Sequence, residues 1–292
     1  MKMKKTRFKG HETFYFRDGW LSKALFELNN TNDNNILSDV KFGISKLGVG
    51  SNMVKSIKYW LMASKLVEYK NSKLGYQLTD LGRLIANNDV YFEDNLSLWL
   101  IHFSISSNYS MATTWNIFWN NFKADSFTSK DLEDYITHYL DNELVPYNQK
   151  SLESDITILL QMYSKKLSDD DPEENSICPL SRLSLINKDI NGYVKNSIDL
   201  EEGHELIPLY IIAMSKDDDD NTNLFNGFIK QSDAEELLNK YMNANRLISN
   251  EYFSLLNNKY IKMVSTAGLN MIYFNENLDV LDEIRKYYEG RL

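Results

Sequence analysis

With a single cysteine, Cys178, the chain cannot close a disulfide on itself, which suits a reducing cytoplasm. Long apolar runs are missing as well. None approaches the ~20 residues that a membrane span requires, so a soluble, cytoplasmic protein with no membrane partner is expected. The Lys-rich start from Met1 to Lys9 runs into Gly10 and His11 rather than an apolar stretch and a small-residue cleavage site, and does not read as a secretion signal. Compact catalytic motifs are absent too: there is no Walker loop, no Gly-x-Gly-x-x-Gly, no cysteine pair for zinc and no nucleophile motif. Asp171-Pro172-Glu173 lacks the following lysine that a nuclease carboxylate cluster would need.

The chain as a whole also lacks positive charge. Its 32 Lys and Arg stand against 41 Asp and Glu, a net of -9 that repels a polyanion. The distribution reverses that conclusion. Residues 1–90 hold 15 Lys/Arg and 8 Asp/Glu, or +7, which leaves 17 and 33, or -16, for the remainder. Opposite character in two parts of one chain marks the basic part as the one that meets a polyanion. At 292 residues, 43% of them hydrophobic, the chain exceeds what one core comfortably holds, and two or three units are expected.

Hydrophobic periodicity supplies the organisation. Leu21, Leu25 and Leu28 mark a first helix behind Asp18, and Ile36, Val40, Ile44 and Leu47 a second. After the turn Gly48-Val49-Gly50, Ser51 is expected to cap a third helix to Leu66 with Val54, Ile57, Leu61 and Met62 inward. Val67–Lys70 and Tyr76–Leu78 form a hairpin around Gly75, and Thr79 caps a further helix. This order is that of a winged helix-turn-helix. Residues 95–106, 113–122, 129–142 and 151–166 are helical, and the acidic stretch 169–174 is a surface loop. Cys178–Ile186 alternates like a strand that Gly192–Val194 could pair with. A helix over 204–214, two more over 232–242 and 245–257, strands over 261–266 and 270–274 and a last helix repeat the winged order. The expected class is therefore mainly α with small β-hairpins. Residues 1–90 make a basic winged-helix DNA-binding domain, 91–168 a helical middle domain, and 169–292 an acidic α+β domain with a second winged-helix-like unit suited to protein rather than DNA.

Candidate chemistry follows from position. On the third helix Ser51, Asn52, Lys55, Lys58 and Tyr59 are expected to face a major groove, where Asn reads adenine and Lys meets phosphate or guanine. Lys70 and Lys73 on the wing are expected at phosphates. The string Phe8-Lys-Gly-His-Glu-Thr-Phe-Tyr-Phe-Arg-Asp-Gly-Trp20 gathers an imidazole, a guanidinium and two carboxylates. Lys9 and Arg17 suit phosphate, and His11 beside Glu12 is the candidate for a general base or metal-assisted site. The competing reading is structural, with Phe14, Phe16 and Trp20 pinning an extended arm. His102, inside an apolar helix, reads as a buried and satisfied residue, and His138 and His204 show no partner spacing. The runs Asp169–Glu174 and Asp217–Asp220 contain oxygen ligands for Mg²⁺, although consecutive carboxylates point apart.

Three strings, Lys9-Gly-His-Glu-Thr-Phe-Tyr-Phe-Arg-Asp-Gly-Trp-Leu-Ser-Lys23, Leu47-Gly-Val-Gly-Ser-Asn-Met-Val-Lys-Ser-Ile-Lys-Tyr-Trp60 and Glu174-Asn-Ser-Ile-Cys-Pro-Leu180, resemble a bacterial family once described only as a domain of unknown function, the SspB-type family of Ssp DNA phosphorothioation and phage-defence clusters. The resemblance implies double-stranded DNA as ligand and nicking of one strand. It also implies partners that place sulfur in the backbone: an ATPase, a sulfur-activating enzyme and a cysteine desulfurase. It transfers no catalytic residues. The reading is thus a DNA nicking endonuclease using Mg²⁺ or Mn²⁺, beside two alternatives: a non-catalytic adaptor that positions DNA for its partners, and a transcriptional regulator, for which no dimerisation helix is evident.

Overall fold

The computed structural model describes residues 5–30, 34–165, 176–198, 205–215, 227–266 and 268–290. The acidic runs Asp169–Glu174 and Asp217–Asp220, and His204, lie outside these residues. Among the described residues the chain is mainly helical with three small antiparallel sheets, and it divides into two compact units, residues 1–196 and 197–292.

The first unit begins with an extended arm leading into α1 (Trp20–Asn30), whose Leu21, Leu25 and Leu28 are buried as their spacing requires. The stripe from Ile36 to Leu47 is not one helix. A short 3-10 turn, Asn34–Leu37, is followed by α2 (Val40–Leu47) because Asp39 stays extended and its carboxylate accepts the N–H groups of Lys41 and Phe42, starting a new helix. Gly48 closes α2 at φ 68°, a conformation glycine adopts without strain, and its N–H returns to the Ile44 carbonyl. Next comes α3 (Ser51–Ala63), where Gly50 rather than Ser51 occupies the N-cap and supplies no side-chain cap. The hairpin β1 (Val67–Asn71) and β2 (Gly75–Leu78) pairs Val67 with Leu78 and Tyr69 with Tyr76. Buried Leu78 and Leu81 seal it onto the helices as α4 (Asp80–Asn88) begins behind Thr79, whose hydroxyl accepts the Gly82 N–H. A Cβ on Gly82 would lie 2.0 Å from the Leu66 carbonyl oxygen, so only glycine allows this approach.

Helix α5 (Asn95–Ser106) is buried along its length and packs on α6 (Thr113–Asn121). Then follow β3 (Ser126–Phe127), α7 (Ser129–Asn142) and α8 (Gln149–Ser164); α7 starts at a capping box of Thr128 and Asp131. The expected strand over 178–186 is mostly absent. Pro179, with its fixed φ and missing N–H, opens a 3-10 turn instead, leaving β4 (Ile186–Lys188) and β5 (Tyr193–Lys195) in a sheet of order β3-β5-β4. His102 is buried, with Nδ1 2.8 Å from the Tyr163 hydroxyl.

The second unit is built around α9 (Leu206–Met214), buried from Leu206 to Ala213, with α10 (Gln231–Met242) and α12 (Val280–Glu289) packed on it. Between α10 and α12 come α11 (Arg246–Leu256), β7 (Ile261–Thr266) and β8 (Leu269–Phe274). A three-residue strand ahead of α10, β6 (Phe228–Lys230), adds to β8 and gives the order β6-β8-β7; it is too short to show in the sequence pattern. No described helix is long and apolar enough to cross a membrane.

Strand β5 is held to α6 by Lys195. Its ammonium donates to the Phe122 carbonyl at 2.5 Å and lies 4.5 Å from the Phe118 ring centre and 5.1 Å from that of Phe122. Burial pulls this group down from 10.5 to about 8, against the smaller opposing effect of Asp125. A lysine depressed in the folded state contributes stability that is present above 10.5 and lost as pH falls to about 8. The melting temperature of the wild type relative to Lys195→Met should therefore rise from about pH 8 towards 10.5; a difference that stays flat over this window would contradict the assignment.

Candidate nucleic-acid interface

The arm is turned into place by three non-glycine residues at positive φ, Lys9 at 54°, Glu12 at 51° and Thr13 at 69°. Such conformations persist only where the surroundings over-determine them. Here the surroundings are one carboxylate. Asp155 of α8 is 1% exposed; its Oδ1 accepts the Lys9 N–H at 2.7 Å and lies 2.8 Å from His11 Nε2, while Oδ2 accepts the Thr114 hydroxyl at 2.8 Å. His11 is fully buried, and its Nδ1 accepts the Thr13 N–H at 3.1 Å. That bond requires a lone pair on Nδ1, which leaves the proton on Nε2 to be donated to Asp155.

Rings enclose this centre. Trp60 of α3 stacks on His11 at 6.0 Å and 12°, and Trp115 of α6 meets both edge-on. The Phe14 carbonyl accepts the Trp60 indole N–H at 2.9 Å and the Ser56 hydroxyl at 3.2 Å, so the arm is bonded directly to α3. Phe16 and Trp20 are buried. Gly10 sits against Tyr59, where a Cβ would come within 2.4 Å of the ring.

These positions decide what the candidate residues can touch. His11, expected as a base or ligand, has both ring nitrogens engaged and no exposure, so in this geometry it offers neither a lone pair to a metal nor a free site to a water. Glu12 is half-buried beside it. Tyr59, expected in the groove, faces inward: it is 2% exposed and its hydroxyl donates to the Met111 carbonyl at 2.9 Å. It is expected outward with Ser51, Asn52, Lys55 and Lys58, but Gly10 of the arm and Met111 ahead of α6 cover it. Burial, chiefly, and the nearby Asp155 charge push the Tyr59 phenol well up.

Ser51, Asn52 and Lys55 are exposed on the first turns of α3, with the Lys55 ammonium 3.4 Å from the Asn52 side-chain oxygen. Lys58 is half-buried, its ammonium 4.3 Å from the centre of the Tyr76 ring on β2. Exposed Lys70 is paired with Glu68 at 2.6 Å, and Lys73 is exposed at the hairpin tip. Lys9 is exposed, while Arg17 lies over the Trp20 ring at 5.4 Å.

Residues 8–288 match the family described as Protein of unknown function (DUF4007). The chain belongs to that family. The family fold here is also that of two solved structures. One, described as an SspB crystal structure, has 21% identity and a TM-score of 0.81 over 99% of this chain and 91% of the other. The second, described as magnesium ion-bound SspB, has 23% identity and a TM-score of 0.80 over 97% and 89%. No curated protein matches the chain in sequence.

Magnesium prefers carboxylate and water oxygens in an octahedral shell. Among the described residues of this family member no three His, Cys, Asp or Glu side chains come together to hold a metal. The one deeply buried carboxylate of the site, Asp155, has both oxygens occupied by donors, and the buried indole N–H of Trp115, which has no hydrogen-bond partner, is a donor that cannot ligate a cation. The described residues therefore do not fit a magnesium centre.

Asp155 could be suspected from sequence only because it interrupts the buried stripe Leu152, Ile156 and Leu159 of α8. Its removal should be felt throughout the first unit. Asp155→Ala leaves three buried donors without their acceptor and is expected to cost about 3–5 kcal/mol, a fall in melting temperature of roughly 10 °C. Asp155→Asn keeps an acceptor for Lys9 and His11 and should lose less than half as much. Thermal unfolding of the two variants measures this, and equal losses would mean that packing rather than hydrogen bonding matters at this position.

Proposed function

We propose that this chain is the DNA-gripping component of an Ssp-type phosphorothioation system, and that α3 with the β1–β2 hairpin serves as a winged helix-turn-helix on duplex DNA. The observation that carries the reading is the exposed leading face of α3. Ser51, Asn52 and Lys55 are exposed at a helix N-terminus that no side chain caps, so the positive end of the helix and its amide groups are available to phosphate while Asn52 and Lys55 reach base edges. The basic balance of residues 1–90 supports it, and the fold shared with SspB over nearly the whole chain supports the system.

In the second unit α10, α11, the β7–β8 pair and α12 follow one another as α2, α3, β1–β2 and α4 do in the first, but with opposite chemistry. Residues 197–292 contain 9 Lys/Arg and 17 Asp/Glu, and α11 exposes Leu247 and Leu255 either side of Glu251. This is the side that serves the protein partners, the ATPase, sulfur-activating enzyme and desulfurase of such systems.

Within the system the chain positions DNA. The saturated hydrogen bonding of His11 and Asp155 supports positioning over hydrolysis at the arm. Nicking with Mg²⁺ or Mn²⁺ is the second reading, favoured by the description of one SspB structure as magnesium ion-bound. A cut at residue 90 would part His11 from Asp155 and Trp60 from Trp115, so the tests use substitutions in the whole chain.

Fluorescence anisotropy on a labelled duplex across a salt series is the first test. Lys55→Glu/Lys58→Glu should weaken binding at least about tenfold and reduce the slope of log K against log salt by roughly two; unchanged affinity would remove α3 from the interface. Supercoiled plasmid with Mg²⁺ or Mn²⁺ separates the two roles. Retarded migration without a nick supports positioning, whereas open circles that a chelator abolishes, and that His11→Gln does not reduce, would establish a nickase whose centre lies away from the arm.

A further inference from the structure

The hairpin is poorly equipped for the role that a wing usually has. Of its two lysines, Lys70 is already neutralised by Glu68 at 2.6 Å, which leaves Lys73 at the tip. What the hairpin presents on the other face is a pair of rings. Tyr69 of β1 and Tyr76 of β2 are directly opposite in the register, with ring centres 5.2 Å apart and planes at 57°. By the two-residue period of a strand they share a face with Val67 and Leu78, the two buried positions that seal the hairpin to the helices. The same face therefore begins as core and ends as an aromatic surface beside α3.

That surface is open. Tyr69 is 51% exposed and Leu74, at the turn, 47%. Lys58 of α3 lies over the Tyr76 ring, its ammonium 4.3 Å from the ring centre, so Tyr69 is the more open ring of the pair and a positive charge stands beside it. A tyrosine hydroxyl can donate to a phosphate, but the ring itself offers an apolar face on which a nucleobase can stack. Base faces are covered by stacking in a duplex and accessible only where the strand is opened. A lysine fixed beside the rings is placed to hold the phosphate next to a base lying on Tyr69.

We infer that Tyr69, backed by Tyr76 with Lys58 over it, forms a stacking site for an unpaired nucleobase, so that the chain prefers DNA with a locally opened strand over fully paired duplex. This rests on the reading of α3 and the hairpin as the DNA-binding surface, and adds the class of DNA to it. It assigns the face contact to the hairpin and the paired contact to α3, a division that a wing gripping phosphates alone would not have.

The experiment is competitive binding of full-length protein to two labelled DNAs of one sequence, fully paired and with a central bubble of mismatches. The proteins are the wild type, Tyr69→Ala, Tyr69→Phe and, as a control at an exposed tyrosine outside the hairpin, Tyr91→Ala. The wild type should favour the bubble by about tenfold; Tyr69→Ala should lose that preference by weakening binding to the bubble more than to the paired duplex; Tyr69→Phe and Tyr91→Ala should retain it. Equal affinity of the wild type for both DNAs overturns the stacking site and leaves the DNA-binding reading intact. The stacking site is also overturned if Tyr69→Ala weakens both DNAs alike, which is what a merely structural hairpin pair predicts, and Tyr69→Phe separates that outcome from misfolding. Failure of the wild type to bind either DNA overturns both readings.

Discussion

The first unit depends on a buried carboxylate that no cation neutralises. An ionised carboxyl group transferred from water to an apolar interior is destabilising by several kcal/mol unless its oxygens are met by donors. Asp155 is met by three: the main chain of Lys9, the ring of His11 and the hydroxyl of Thr114. The donors come from the arm and from α6, and the acceptor from α8, so none of the three segments can leave without exposing the charge to a dry, aromatic surround. The left-handed backbone of Lys9, Glu12 and Thr13 follows from this, since an arm without strain would not bring both the Lys9 amide and the His11 ring to one oxygen. So does the setting of α3. Its Trp60 and Ser56 bind the Phe14 carbonyl, and its Tyr59 lies under Gly10, so the helix with the exposed Asn52 and Lys55 is fixed through an arm that is fixed by α8.

Sequence reading recovered what local pattern encodes. The apolar stripes of α1, α3 and α5, the hairpin with its Gly75 turn, and the Thr79 cap are all properties of a few neighbouring residues, and they stand where the pattern puts them. Where two local signals compete, the stripe alone does not decide the element. Asp39 divides the stripe of Ile36 to Leu47 because a side chain that accepts two amides begins a helix rather than continuing one, and Pro179 turns an alternating segment into a 3-10 turn. The site itself was less legible for a different reason. His11 and Asp155 are 144 residues apart, and nothing in either neighbourhood names the other. The string around His11 looked chemical because it gathers imidazole and carboxylates, yet the partner that decides its role is absent from the string. Tyr59 is a like case: it is expected outward on α3, and a distant segment covers it.

The same distinction bears on catalysis. A hydrolytic centre needs acceptors left free for a metal or a water, whereas stability removes such freedom by satisfying every buried group. Around the arm satisfaction has prevailed. Both nitrogens of His11 and both oxygens of Asp155 are used, and the remaining unpartnered group there, the Trp115 indole, can only donate. A constellation that looks reactive in sequence is thus better explained as the hydrogen-bonded hub of a core.

One succession of elements, helix, helix, antiparallel strand pair, helix, occurs within each of the two units, and its helices α3 and α11 differ in what they expose. On α3 the exposed positions are Ser51, Asn52 and Lys55; on α11 they are Arg246, whose guanidinium lies 3.6 Å from Glu235, with Leu247, Glu251, Ser254 and Leu255. Backbone geometry alone would offer both helices to a groove. Side chains separate them: a lysine and an amide are compatible with a polyanion, while a glutamate between two exposed leucines is repelled by it and gains from covering its apolar flanks. One succession of helices and strands therefore carries two surfaces of different side-chain chemistry. The charge asymmetry visible along the chain is the form that this division takes in composition.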